Sequence, residues 1–131
     1  MKLSILIPVY NERALAARSI AAVLGAPLPP ELERELVIVD DCSTDGTSAI
    51  LEQLAASEPR IRLFRHAVNQ GKGAAVRTAI EQAQGDFCLI QDADLEYDPN
   101  DYPALMRPLL EGQADARSEE RRVGKECRSR W

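Results

Sequence analysis

A chain of 131 residues that is 45% hydrophobic and 28% charged has the size and apolar content of one ordinary globular domain, which excludes a fibrous or wholly disordered segment. Its formal charge of −5 argues against a duplex nucleic-acid binder, whose affinity comes mainly from Lys and Arg neutralising phosphates, and leaves room only for a local basic site. Three cysteines, Cys42, Cys88 and Cys127, are odd in number and far apart, with one histidine, His66, so neither a disulfide framework nor a structural zinc site is expected, and a cytoplasmic setting fits.

Strand and helix patterns alternate from the start. Leu3 to Val9 is a nearly continuous apolar run, as in a strand covered on both faces, with Pro8 expected at its end; it is far too short to span a bilayer. Arg13 to Leu24 has apolar residues at helical spacing (Leu15, Ile20, Val23, Leu24) and stops at Gly25 before a proline-rich loop. Leu36 to Val39 is a second buried strand, running into Asp40-Asp41 and the turn Cys42 to Gly46. A helix over 47–57 follows, ended by Pro59.

Ile61, Leu63 and Phe64 mark a third, short strand, and a helix over 74–83 follows Asn69-Gln70-Gly71-Lys72-Gly73. Phe87 to Ile90 is the fourth strand, ending at Gln91-Asp92, and Pro99-Asn100 opens a helix through Leu105, Met106, Leu109 and Leu110. This βαβ rhythm predicts an α/β fold with a doubly wound, mostly parallel sheet. In such a sheet ligands bind beyond the carboxyl ends of the strands, where Tyr10-Asn11-Glu12, Asp40-Asp41 and Asp92-Ala93-Asp94 all fall.

Two carboxylates on alternate residues after a buried strand repel one another unless a cation or proton intervenes. Mg2+ or Mn2+, which prefers oxygen ligands and shares phosphate oxygens with a substrate, suits Asp92, Asp94 and Glu96; a solvated acidic loop has the same spacing. Asp40-Asp41 fits an acceptor for the base or ribose of a nucleotide, and equally a helix cap. Asp45 or Thr44 is the better placed cap, which would free Asp40 and Asp41 for a ligand. Gly71-Lys72-Gly73 can approach phosphate but lacks P-loop spacing, and a flexible loop reads the same way. His66 reads as a loop or strand-end residue, and Cys42 and Cys88 as small neighbours of strand ends.

Taken in order, Ser4 to Glu12, Val37 to Thr47, Asn69 to Gly73 and Gln91 to Glu96 closely resemble family 2 glycosyltransferases over residues 1–116. Asp92 to Pro99 followed by Asp101-Tyr102-Pro103 looks most like the dolichyl- or polyprenyl-phosphate mannosyl- and glucosyltransferases. The resemblance implies the N-terminal half of a GT-A fold and inverting transfer of a hexose from a GDP- or UDP-hexose, with a lipid phosphate as one acceptor class. It implies that Pro8, Tyr10 and Glu12 contact the nucleoside, and that Val39 and Asp41, with Asp40 beside them, border the base. Lys72 would lie near the diphosphate, Asp92, Asp94 and Glu96 would hold the metal, and Ala93 would pack at the nucleotide. A lipid phosphate is already an anionic nucleophile, so no catalytic base is assigned.

After Ala116 the resemblance and the apolar periodicity end together. With one choice of codons, residues 117–131 read as a sequencing-adapter oligonucleotide in frame, so a non-native, disordered tail is expected. The tail holds six Lys/Arg and three Asp/Glu, leaving residues 1–116 with ten basic and eighteen acidic residues and a net charge of −8. The acceptor-binding half and any membrane segment are expected to belong to a longer parent, placed at the cytoplasmic face of a membrane, and this piece to be inactive alone. Two other classes share parts of the pattern: a phosphoacceptor receiver domain, with its acidic strand ends, and a noncatalytic nucleotide-binding module.

Overall fold

The computed structural model describes residues 1–91; the helix expected after Pro99, the acidic cluster and the tail all lie outside them. Among the described residues four strands, β1 (Lys2–Val9), β2 (Glu33–Asp40), β3 (Ile61–Arg65) and β4 (Phe87–Ile90), alternate with three helices, α1 (Ala16–Leu24), α2 (Thr47–Ser57) and α3 (Lys72–Gln82). All the pairings are parallel and the strand order is β3-β2-β1-β4.

The two-residue alternation of a strand divides β1 between two cores. Leu3, Ile5, Ile7 and Val9 face Ala16, Ile20 and Val23 of α1 and Leu51 of α2. Leu6 joins Val37, Val39, Cys88 and Ile90 against Ala75, Val76 and Ala79 of α3. The sheet is therefore covered on both faces, as its continuous apolar runs require. Full burial of each Leu, Ile or Val side chain is worth roughly 1.5–3 kcal/mol, so these two layers supply the main drive for folding.

Strand order carries the functional consequence. From β1 the chain builds outward through β2 and β3 with α1 and α2 on one face; it then crosses by α3 on the other face to β4, on the opposite side of β1. The winding reverses between β1 and β4, and that reversal opens a crevice at the carboxyl ends of the strands.

Three boundaries differ from the sequence expectation by two residues or more. β2 begins at Glu33, not Leu36, because Lys2, Leu3 and Ser4 pair with Glu33, Arg34 and Glu35, and backbone pairing is indifferent to side-chain polarity. α1 begins at Ala16, not Arg13: the Glu12 carbonyl accepts from Leu15 and Ala16 N–H groups at 3.0 and 2.8 Å, closing a turn first. α3 begins at Lys72, not Ala74, because Gly71 at φ 96 makes the sharp entry and its carbonyl accepts from Ala75 at 3.1 Å. At the other end of α1, Arg34 donates at 2.6 Å to each of the Val23 and Ala26 carbonyls, bringing positive charge to the carbonyl end of the helix.

Candidate functional site

Pro8 and Val39 are register partners on β1 and β2, one step before both strands end. Pro8 shares the parity of Leu6, whose carbonyl accepts from Gln91 at 2.9 Å on the β4 side. The missing Pro8 N–H therefore falls just past the last β4 pairing, where no ladder bond is asked of it. Beyond β1, Tyr10 emerges with 46% of its surface exposed, which leaves an aromatic face available at the crevice.

The loop after β1 is stitched to the loop after β2. Asn11, at φ 51, accepts from Thr44 N–H through its side-chain oxygen at 2.8 Å, and its own N–H donates to Ser43 Oγ at 2.9 Å. Short polar side chains tolerate that left-handed conformation, so Asn suits the position. Arg13 N–H adds a bond to Asp45 Oδ2 at 3.3 Å. Tyr10 and Glu12 are thus carried by a segment anchored to the end of β2.

Gly46 occupies the cap position of α2, and Asp45, one of the two residues expected to cap it, stands one residue earlier and accepts from the first helical N–H, that of Thr47, at 3.1 Å and from the Thr47 hydroxyl. The corollary, that Asp40 and Asp41 are thereby left free, is corrected by the geometry. Asp40, 1% exposed, accepts from Ser43 N–H at 3.0 Å and from the Ser48 hydroxyl, with the Arg65 guanidinium at 3.7 Å. Asp41, 3% exposed, accepts from His66 Nδ1 at 2.7 Å and from the Gln70 and Gly71 N–H groups at 2.9 and 2.8 Å. Its backbone joins in, with its N–H on the Val9 carbonyl at 2.9 Å and its carbonyl accepting from Asn69 Nδ2 at 3.3 Å.

Burial alone would push the Asp41 carboxyl up. The Gln70 N–H, the His66 ring and the Gly71 N–H outweigh it and hold the group below the ordinary carboxylate range. Asp41 is therefore a buried anion that binds the β3–α3 loop to the end of β2. Lys72 follows directly on that loop as the first residue of α3, exposed at a helix N-terminus where backbone N–H groups favour an anion.

Two buried polar groups have partners that the sequence does not announce. His66 is buried, and its Nε2 lies 2.8 Å from Thr78 Oγ1 on α3, so its ring spans from Asp41 to the helix. The available signal was parity: His66 follows Arg62 and Phe64 by two-residue steps, on the face that α3 covers. At the opposite end of the sheet, buried Glu35 accepts from Ser4 Oγ at 2.5 Å, Gln84 N–H at 2.7 Å and Arg62 Nη1 at 3.2 Å. Neither partnership has a local sequence pattern.

Asp92, Ala93, Asp94 and Glu96 lie outside the described residues, which end one position earlier at Gln91. Gln91 is buried beside β1. Among the described residues no group of three or more His, Cys, Asp and Glu side chains is placed to hold a metal, and no helix is long and apolar enough to cross a membrane.

A parallel, doubly wound sheet whose β1, β2 and β3 loops are tied together at the carboxyl ends of the strands is the N-terminal part of a GT-A fold. The sequence profile of glycosyl transferase family 2 matches residues 4–131, and the chain belongs to that family. It is 34% identical over 116 residues to a dolichol-phosphate mannosyltransferase of Pyrococcus furiosus, covering 86% of this chain and 31% of that protein. It is 35% identical over 115 residues to an undecaprenyl-phosphate 4-deoxy-4-formamido-L-arabinose transferase of Proteus mirabilis, covering 85% of this chain and 34% of that one.

Among solved structures, a mannosyltransferase of Pyrobaculum calidifontis in complex with GDP-Man and Mn2+ matches with a TM-score of 0.67 at 30% identity, over 76% of this chain and 29% of that one. TarS residues 1–349 of S. aureus in complex with UDP-GlcNAc matches with a TM-score of 0.63 at 33% identity, over 72% of this chain and 27% of that one. The chain thus spans about a third of the length of the curated relatives it matches. Family membership sets aside the receiver-domain alternative.

Proposed function

We propose that the whole protein transfers a hexose from a GDP- or UDP-hexose, with inversion at the anomeric carbon, to a polyprenyl- or dolichyl-phosphate at the cytoplasmic face of a membrane. The observation that carries this reading is the tie between the β1 and β2 loops, with Tyr10 exposed, beside the β1/β4 switch point. Relatives named for lipid-phosphate sugar transfer and a neighbour holding GDP-Man support the donor and acceptor classes.

In this reading Pro8, Tyr10 and Glu12 contact the nucleoside, Val39 and Asp41 border the base with Asp40 behind them, and Lys72 serves the diphosphate. Asp92, Asp94 and Glu96 offer the hard oxygen donors that Mg2+ or Mn2+ prefers, and Ala93 packs at the nucleotide. The metal, when bound, supplies positive charge for the leaving nucleoside diphosphate. The Mn2+ of the Pyrobaculum calidifontis complex favours a divalent cation and leaves the choice between the two to measurement.

Calorimetric titration of the folded chain with UDP and GDP, with and without Mn2+, tests the donor site. Metal-dependent binding that disappears in the Asp92→Asn and Asp94→Asn variants is expected. A folded chain that binds neither nucleotide under any metal condition sinks the proposal.

A further inference from the structure

We infer that His66 is a positioning residue for nucleoside recognition: braced by Thr78 on α3, its ring fixes the Asp41 carboxylate at the end of β2. The inference rests on the proposal that Asp41 borders the base. Because an ionised carboxylate only accepts, the 2.7 Å contact requires the proton on Nδ1. In the neutral ring Nε2 is then an acceptor, and the Thr78 hydroxyl donates to it across 2.8 Å. Both ring nitrogens are engaged, so the imidazole cannot turn without breaking a buried hydrogen bond.

The carboxylate is fixed in consequence. Oδ1 accepts from His66 and from Gln70 N–H, while Oδ2 accepts from Gly71 N–H. Among the described residues Oδ2 receives one hydrogen bond, and a carboxylate oxygen accepts two, so Oδ2 keeps the capacity for a ring N–H of a base. An apolar pair would fill the places of His66 and Thr78 without the desolvation cost of burying polar groups. What the polar relay adds is orientation: a chain of satisfied hydrogen bonds running from α3 to the acceptor atom.

The test is calorimetric titration of the full chain with UDP, with GDP and with inorganic pyrophosphate plus Mn2+, using Thr78→Val, Thr78→Ser, His66→Leu and His66→Asn. Thr78→Val should weaken nucleotide binding about threefold to tenfold, the range for loss of one hydrogen bond, and leave pyrophosphate binding unchanged. Thr78→Ser should restore it. His66→Leu should lose at least about tenfold, and His66→Asn, whose side-chain N–H can take the place of Nδ1, should lose less.

Unchanged nucleotide affinity in folded Thr78→Val and His66→Leu variants overturns the positioning role, as does an equal fall for pyrophosphate, which would mark a general loosening. An unaltered chain that binds no nucleotide overturns the donor-site proposal and this inference with it. Should the variants fail to fold, the His66 Nδ1–H resonance of the unaltered chain decides: it should shift on adding nucleotide and stay in place with pyrophosphate. A resonance that ignores nucleotide refutes the role.

Discussion

Glu35 and Arg62 meet at 3.2 Å where β2 and β3 begin, a strand's length away from the Asp41–His66 pair that closes the other end of the sheet. Arg62 also donates to the Gln82 carbonyl at the last residue of α3, at 2.6 Å, and lies over the Phe64 ring at 5.3 Å. The carboxylate and guanidinium therefore fasten the exit of α3 to the sheet.

Glu35→Leu leaves the Ser4 hydroxyl and the Gln84 N–H without their acceptor and Arg62, still on the Gln82 carbonyl, without its counter-charge, and should destabilise the chain by about 2–4 kcal/mol in urea unfolding. Changing both partners, Glu35→Leu with Arg62→Met, removes the stranded charge as well. The double variant should recover at least part of the loss; a double variant worse than the sum of the singles would refute a stranded-charge origin.

Acid should weaken the fold through both carboxylates. Burial pushes the Glu35 carboxyl up, but the Ser4 hydroxyl, the Gln84 N–H and Arg62 hold it below its ordinary value, as the partners of Asp41 do for that residue. Their unfolded values are near about 4, so in the window below that the unfolded chain binds more protons than the folded one. The stabilisation is present above the unfolded values and is lost as pH falls through the folded ones. Urea midpoints measured from pH 6 downward should decline through this window, and Glu35→Gln and Asp41→Asn should each flatten the decline.

Gly85→Ala should be costly and Gly73→Ala should not. A Cβ at Gly85 would lie 2.6 Å from Ser4 Oγ, 2.8 Å from the Lys2 carbonyl and 2.8 Å from Ser4 N, and two of those three are backbone atoms. A loss of about 1–3 kcal/mol is expected, with little rescue by Ser4→Ala. At Gly73 a Cβ meets only Arg77 Nη1 at 3.6 Å, and Ala in a helix should gain up to about 1 kcal/mol. Thermal melts of the two variants should move in opposite directions.

Cys42 stands at φ 63, a conformation that L side chains adopt at a cost. Its thiol reaches the Ala67 carbonyl at 3.5 Å, a weak contact. Replacement by Gly should therefore hold or raise stability by up to about 1 kcal/mol, whereas the β-branched Val should lower it by more than about 1 kcal/mol. The reverse order in melting temperature would show that the thiol contact outweighs the backbone.

β1, β2 and β4 are legible because each carries a run of buried apolar residues, β3 is marked only by Ile61, Leu63 and Phe64, and the alternation of strands with helices makes the parallel, doubly wound sheet the natural reading. What composition hid was pairing by polar residues. Glu33, Arg34 and Glu35 look like loop residues, yet they extend β2 alongside Lys2, Leu3 and Ser4. The position of Asp41 after a strand was equally plain, but its ties to His66, Gln70 and Gly71 lie 25 to 30 residues away and exist only once β3 is laid beside β2. The bond from Thr47 N–H to Asp45 at the start of α2 is legible since the two residues are neighbours in sequence.

The central place of β1 has a consequence for how this protein is made. Its first strand must pair with β4, whose contacts include a bond from Lys2 N–H to Asp86 across 84 residues. A nascent chain leaving the ribosome thus displays the apolar strand Leu3 to Val9 long before the segment that completes its second side has been translated. Contacts of this range form slowly and leave strand edges exposed in the meantime. The interval between the emergence of β1 and that of β4 is accordingly the one in which this domain most needs protection from its neighbours, and a chaperone that holds extended apolar segments would act on β1 during it.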